Sequence, residues 1–385
     1  MKYSEKVKTG ITMSKKVFNE NMKKYGFGLM RLPKLEDKKF DIEQIKQMVD
    51  RFLEEGFTYF DTAFAYPGSE AAIRKALVER YPRESYYLAT KVSAWLQCKT
   101  AEDARAQLET SLHNLGTDYI DYYLLHNLGE TRTHFYDDFD LWNWVQDLKQ
   151  KGTIRHWGMS FHGTPEELRD ILKNHPKPEF IQLQINYSDW NNPDFAAGEL
   201  YAIAGENDIP VIVMEPVRGG MLADPPANIG EIFKEIHPDW TPASWAMRFC
   251  ANLENAAVVL SGVSSLEQME DNLKTMNSLA PFNEAEKEAL KKAQDIIDSC
   301  HLIPCTKCGY CLKTCPADIF IPGVIRVLNT ERIYGLENAK KEIGWNIKSK
   351  GSMPDACLKC GSCETACPQK IKITEHMQYA ADVLM

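Results

Sequence analysis

No run of about 18 apolar residues occurs in the 385-residue chain, so no segment reads as a membrane-spanning helix. The opening stretch, MKYSEKVKTGITMSKKVFNE, carries charge but no apolar core of a secretory signal. Basic residues are not in excess: 45 Lys and Arg face 54 Asp and Glu, a formal charge of -9. No broad field therefore draws the chain to nucleic acid or to an anionic membrane. The expectation is a cytoplasmic protein with neither as a partner. A G-x-G-x-x-G fingerprint after an early strand is also missing, which disfavours a Rossmann-type dinucleotide fold. Cysteine is nearly absent from the first 299 residues, where only Cys98 and Cys250 occur. What remains is ordinary for a globular chain, with 44% hydrophobic and 26% charged residues, enough to bury a large core.

The other nine cysteines crowd between Cys300 and Cys367. Eight of them write one pattern twice, Cys305-x2-Cys308-x2-Cys311-x3-Cys315-Pro316 and Cys357-x2-Cys360-x2-Cys363-x3-Cys367-Pro368, at an offset of 52 residues. Two-residue spacers let a turn bring successive thiolates to one centre, so the three close cysteines suit three iron corners of a cubane. The fourth faces away. A disulfide framework is the first alternative, disfavoured without a secretory signal. Zinc is the second, and its sites more often use paired C-x2-C knuckles far apart. Both runs, with their trailing prolines, resemble bacterial-type ferredoxin motifs. That resemblance implies two [4Fe-4S] clusters with crossed ligation: Cys305, Cys308, Cys311 and Cys367 around one, Cys357, Cys360, Cys363 and Cys315 around the other. Cys300, out of register, reads as a free thiol.

Upstream, short apolar runs alternate with helical patterns. Strand candidates start at Tyr25, Phe57, Tyr86, Tyr119, Ile154, Phe180, Pro210 and Ala256. Between them lie segments such as DIEQIKQMVDRFLEEG, which puts Ile42, Ile45, Val49, Phe52 and Leu53 on one face and stops at Gly56. The next helix is expected to open at Ser69 with helix-start chemistry. Eight such units fit a parallel (β/α)8 barrel. Gly26-Phe27-Gly28 then reads as a turn of the barrel floor, and the Trp-rich LWNWVQDLKQKG as barrel-facing packing. The division expected is a 1–24 extension, a 25–282 barrel, and a 283–385 linker helix with a small α-helical iron–sulfur domain.

In a barrel, chemistry sits just past the carboxyl ends of the strands. Strand two runs into Asp61 and on to Tyr66, strand three ends at Lys91, and strand four at His126. Each has a bland reading alone, as a loop cap, a packed aromatic, a snorkelling lysine or a core histidine. Together, at the ends of three successive strands, they read as one acid, one phenol, one amine and one imidazole at a single mouth.

Residues 25–282 resemble an aldo/keto reductase. The strings that carry the likeness are Asp61-Thr62-Ala63 with Tyr66 and Ser69-Glu70, Ala89-Thr90-Lys91, and Leu124-Leu125-His126. With its tail, the chain resembles the branch of that family with a C-terminal ferredoxin-like extension. The resemblance implies an enzyme that moves hydride from a nicotinamide cofactor, NADPH or NADH, to a carbonyl, with aldehydes, ketones or sugar carbonyls as the class. It makes Tyr66 the general acid. A free phenol has a pKa near 10, and a Lys91 ammonium held by Asp61 brings it towards the working range. His126 would orient the substrate carbonyl. By the same resemblance Ser160 and Gln184 grip the nicotinamide carboxamide. Pro216, Arg218, Gly219 and Gly220 run beside the pyrophosphate, and Gly262, Ser264, Gln268, Asp271 and Asn272 hold the adenosine half. Glu215 stands where many members stack a tyrosine, and Gly262 and Gln268 stand where Lys and Arg often clamp the 2′-phosphate.

A nicotinamide delivers two electrons and a [4Fe-4S] cluster ordinarily carries one. If the clusters exchange electrons with the barrel, a flavin such as FMN is the expected converter, with a one-electron redox protein as a further partner. The alternatives are clusters serving as a structural clasp or sensor, and a barrel acting as a nicotinamide-sensing docking module.

Overall fold

The eight apolar runs become eight strands, β1 (Tyr25–Gly28), β2 (Tyr59–Asp61), β3 (Tyr87–Val92), β4 (Ile120–Leu128), β5 (Ile154–Phe161), β6 (Phe180–Gln184), β7 (Val211–Met214) and β8 (Ala256–Ser261). All pair in parallel and in sequence order, and β8 returns to β1, closing the (β/α)8 barrel. This computed structural model describes residues 17–129, 132–192 and 195–385. Most of the expected N-terminal extension lies outside the described residues.

The strand period decides which side chains face inward. Tyr59, Ala89, Tyr122, Leu124, Phe180, Ile212, Val258 and Leu260 form one cluster inside the barrel. Their neighbours Phe60, Leu88, Tyr123, Leu125, Ile181, Val213 and Val259 join the larger core under the helices. Gly26 lies within β1 rather than in a turn of the floor. A Cβ there would come within 2.6 Å of both Leu260 and Val258, so the glycine makes room for the interior layer. The floor is closed instead by Phe18, stacked on Tyr122 at 5.0 Å and set edge-on to Phe180 at 5.8 Å.

The helices follow their apolar stripes. Helix Ile42–Glu54 starts at Asp41, whose carboxylate accepts the Gln44 N–H, and buries Ile45, Met48, Val49 and Phe52. Helix Leu141–Gln150 buries Leu141, Trp142, Val145 and Leu148. Ser69 does not cap its helix. Gly68, at φ 77°, takes that position, and the Ser69 hydroxyl turns inward to Thr62 Oγ1 (2.8 Å) and the Leu29 carbonyl (3.0 Å).

The chain divides into two compact units. One runs to Val217 and resumes over Ala243–Phe282; the other joins Arg218–Pro242 to Asn283–Met385. The second unit is helical, with Glu284–Cys300, Ile321–Tyr334, Leu336–Ile343 and Ile373–Leu384 as its main helices. Its core is built from Ile321, Val324, Ile325, Leu328, Ile373, Met377 and Ala380. Among the described residues, no helix is long and apolar enough to cross a membrane.

Candidate active site and cysteine cavities

Because Tyr59, Ala89 and Leu124 face the interior, the residues two positions on, Asp61, Lys91 and His126, face it as well, one layer nearer the carboxyl ends. Period-two geometry alone thus delivers an acid, an amine and an imidazole to the barrel mouth. Lys91 is wholly buried, and its Nζ donates to Asp61 Oδ1 at 2.5 Å and to the Thr62 carbonyl at 2.6 Å. Gln182, on the inner face of β6, donates to Asp61 Oδ2 at 3.2 Å. Burial pushes the Lys91 ammonium below the ordinary lysine range and Asp61 above the ordinary carboxyl range, and each partner opposes the other's shift.

Tyr66 comes from the loop after β2. Backbone bonds from Thr62 N–H to the Ala89 carbonyl (2.9 Å) and from Tyr66 N–H to the Ala63 carbonyl (2.9 Å) fix that loop. The Ser69 hydroxyl pins it to Leu29, and Glu70 Oε1 accepts from Thr90 Oγ1 at 2.7 Å. Lys91 Nζ then lies 5.4 Å from the centre of the Tyr66 ring. The His126 ring meets Tyr66 edge-on, with centroids 5.9 Å apart. Its Nδ1 is engaged by Ser93 Oγ at 2.9 Å, while the Trp95 indole and the Tyr136 hydroxyl both donate to its carbonyl. Ser93, Gln182 and Tyr136 escaped the sequence reading. For Ser93 and Gln182 a signal existed: each lies two residues from a residue that reading did single out, on the same or an adjoining strand.

The positions expected at the cofactor divide into distinct groups. Ser160 is buried on the inner face of β5, and its Oγ accepts the Asn127 N–H at 2.7 Å. Gln184 Nε2 donates to Asp189 Oδ2 at 2.9 Å. Glu215, at φ 55°, turns its carboxylate to Arg31 at 3.1 Å, so the charge that replaces the expected aromatic is neutralised within the same unit. Arg31 was not anticipated. It follows β1, a Cβ on Gly262 would lie 3.7 Å from its guanidinium, and its carbonyl accepts from Ser264 Oγ at 2.7 Å. Gln268 Oε1 accepts the Ser264 N–H at 2.8 Å. Asn272 is buried and gives its N–H groups to Tyr25 Oη and Ser261 Oγ, which makes it part of the packing behind β8. Asp271 sits half-buried beside it, and Pro216 is buried. Arg218, Gly219 and Gly220 belong to the second unit, both glycines at positive φ, 65° and 99°. A Cβ on Gly219 would lie 2.5 Å from the Thr306 carbonyl, in the first cysteine run. His162, beside Ser160 in sequence, is pushed down to about 3 by burial and then by Arg132, which keeps it neutral.

In the second unit the duplicated sequence is a duplicated backbone. Lys307 and Lys359, Gly309 and Gly361, Asp318 and Lys370 all have positive φ, each pair at the repeat offset. None of the eleven cysteines is in a disulfide. One cavity is lined by Cys305, Cys308, Cys311 and Cys367 with Ile321, Ile325 and Ile373. The other is lined by Cys315, Cys357, Cys360 and Cys363 with Ile319, Ile321 and Met377. Each quartet thus rings a space rather than a point. Crowding has an electrostatic cost. The Cys311 thiol is held well above the ordinary range by burial and then by neighbouring Cys308, Cys305 and Cys367. A cationic core with inorganic sulfide fits that donor set and those apolar walls.

Comparison with known proteins agrees with the geometry. Residues 24–295 match the aldo/keto reductase family model, and residues 304–371 match that of a 4Fe-4S dicluster domain. An aldo-keto reductase of Mycolicibacterium vanbaalenii is 32% identical over 235 residues, covering 60% of this chain and 77% of its own. An uncharacterized oxidoreductase of Bacillus subtilis is 26% identical over 310 residues, 70% of this chain and 93% of its own. Among solved structures, the holo form of an aldo-keto reductase from Bacillus halodurans superposes with a TM-score of 0.55 at 27% identity, covering 70% of this chain and 91% of that one. One from Klebsiella pneumoniae, in complex with NADPH, shares the fold at 19% identity, with a TM-score of 0.55 and coverage of 70% and 90%. The chain belongs to the aldo/keto reductase family of NAD(P)-dependent oxidoreductases, and it carries a 4Fe-4S dicluster domain after the barrel.

Proposed function

We propose that the barrel reduces a small carbonyl compound at the expense of NADPH or NADH, and that its eight repeated cysteines hold two [4Fe-4S] clusters as an electron conduit. The observation that carries the first half is the meeting of Asp61, Lys91 and His126 on one inner face with the Tyr66 ring beside Lys91 Nζ. A bound nicotinamide supplies hydride to the carbonyl carbon. Tyr66 then gives its phenolic proton to the developing alkoxide, and the Lys91 ammonium stabilises the phenolate left behind. Asp61 keeps that ammonium in place. In the tautomer with its hydrogen on Nε2, His126 accepts from Ser93 Oγ at Nδ1 and can bond the carbonyl oxygen. Ser160 and Gln184 would hold the carboxamide of the cofactor.

The second half rests on the crossed quartets lining separate cavities. Bound clusters would supply one-electron carriers, and a flavin such as FMN would reconcile them with hydride chemistry. The deciding experiment is anaerobic. Iron, sulfide and released flavin are quantified on reconstituted protein, and visible absorbance with electron paramagnetic resonance follows the clusters as NADPH or NADH is added. Reduction of the clusters by nicotinamide is the expected result. Clusters that stay oxidised while carbonyls still consume NAD(P)H would remove the conduit and leave a clasp or sensor.

A further inference from the structure

Strands β4 and β5 pair Leu125 with Met159 and then Leu128 with Phe161. Two residues of β4, His126 and Asn127, therefore oppose the single residue Ser160, which is a β-bulge. Leu125 and Leu128, like Met159 and Phe161, all pack in the outer core. In an unbroken strand, residues three apart face opposite sides. The extra residue returns Leu128 to the helix side, and it brings Asn127 in directly after the inward-facing His126 and opposite the inward-facing Ser160.

Asn127 has a left-handed backbone, φ 62°, which asparagine tolerates better than most residues. Its N–H is held by Ser160 Oγ at 2.7 Å. Its side chain is fully buried, and among the described residues neither Oδ1 nor Nδ2 has a hydrogen-bond partner. A buried primary amide with both ends unmatched is costly to the fold, and such groups are otherwise nearly always paired. The bulge thus places an unmatched donor and acceptor side by side, next to the catalytic imidazole.

We infer that the Asn127 amide pairs with the carboxamide of the nicotinamide, an inference that rests on the reductase reading above. A substrate carbonyl offers acceptors alone; it would satisfy Nδ2 and strand Oδ1. A carboxamide offers an acceptor and a donor on one planar group and satisfies both. Ser160, whose hydroxyl already accepts from Asn127, keeps its own hydrogen to donate to the same group. Asn127 is on this account a positioning residue for the cofactor ring.

The test compares reduced cofactor with its 3-acetylpyridine analogue, in which a methyl replaces the carboxamide NH2. Dissociation constants for both are measured by fluorescence titration of the full chain. Wild type is expected to favour the carboxamide form by about tenfold. In Asn127→Leu, of nearly the same shape, the preference should shrink to within about twofold. Asn127→Asp keeps acceptors and loses the donor, so it should widen the preference, an opposite movement that a packing role does not produce. An unchanged ratio in a folded variant overturns the inference and leaves the reductase reading standing. Failure of wild type to bind either form overturns that reading, and the inference with it.

Discussion

Lys91 is buried where water does not reach, and at the scale of single residues this sets how the proposed site responds to pH. On the proposed mechanism its ammonium supports Tyr66, and burial lowers its pKa from the ordinary 10.5 while Asp61 works to raise it again. Activity should be level at lower pH and fall as the pH rises through a value below 10.5; an alkaline limb of kcat/KM at or above 10.5 would contradict the proposed role. Tyr66→Phe keeps the ring beside Lys91 and removes only the acidic proton. We expect kcat for carbonyl reduction to drop by about 10²–10⁴-fold while the nicotinamide dissociation constant, measured by fluorescence, stays within about twofold. The convergence of Asp61, Lys91 and His126 was legible because the barrel rule and the strand period both act on sequence spacing, and Tyr66 because it follows Asp61 closely in the loop after β2. Asn127 and Arg31 were not. A bulge that re-aims one side chain, and an ion pair from Arg31 to Glu215 across 184 positions of chain, leave no local pattern.

Among the elements, small backbone choices hold the strands in register. Gly158 on β5 faces the interior, and a Cβ there would meet the Phe180 carbonyl at 2.5 Å. Gly158→Ala should wedge β5 from β6 and cost about 1–3 kcal/mol. Thr100 caps helix Ala101–Leu115 in a reciprocal box with Asp103, and Thr100→Ala should cost about 1 kcal/mol. Urea unfolding of both variants checks these costs, and a Gly158→Ala midpoint equal to that of wild type would mean that β5 and β6 can separate without penalty. The strand count, the strand order and the helix stripes follow from periodicity. The misreadings fell on glycine and serine, whose small side chains fit several environments equally well: Gly26 fills a strand instead of a turn, and Ser69 braces the Tyr66 loop while Gly68 caps its helix.

For the molecule as a whole, the telling feature is that Arg218–Pro242, which follows β7 in sequence, folds with the cysteine-bearing unit. Gly219 is pressed against the Thr306 carbonyl at a φ that side chains resist. Gly219→Ala should cost about 1–3 kcal/mol, felt first in the dicluster unit as faster iron loss to a chelator; an unchanged rate would show that the loop and the first cysteine run move independently. The paired motifs were visible in sequence as a repeat, whereas this loop's allegiance was not, because contiguity along the chain says nothing about which core a surface loop joins. The crossed quartets also have a consequence in time. Cys305, Cys308 and Cys311 leave the ribosome before Cys367 exists, a wait on the order of several seconds at ordinary rates of synthesis. Neither quartet is complete until the second motif has been made as far as Cys363 for one and Cys367 for the other, so on the proposed ligation metal insertion waits for that motif. Chains starved of iron should then be found empty or full, with few caught halfway.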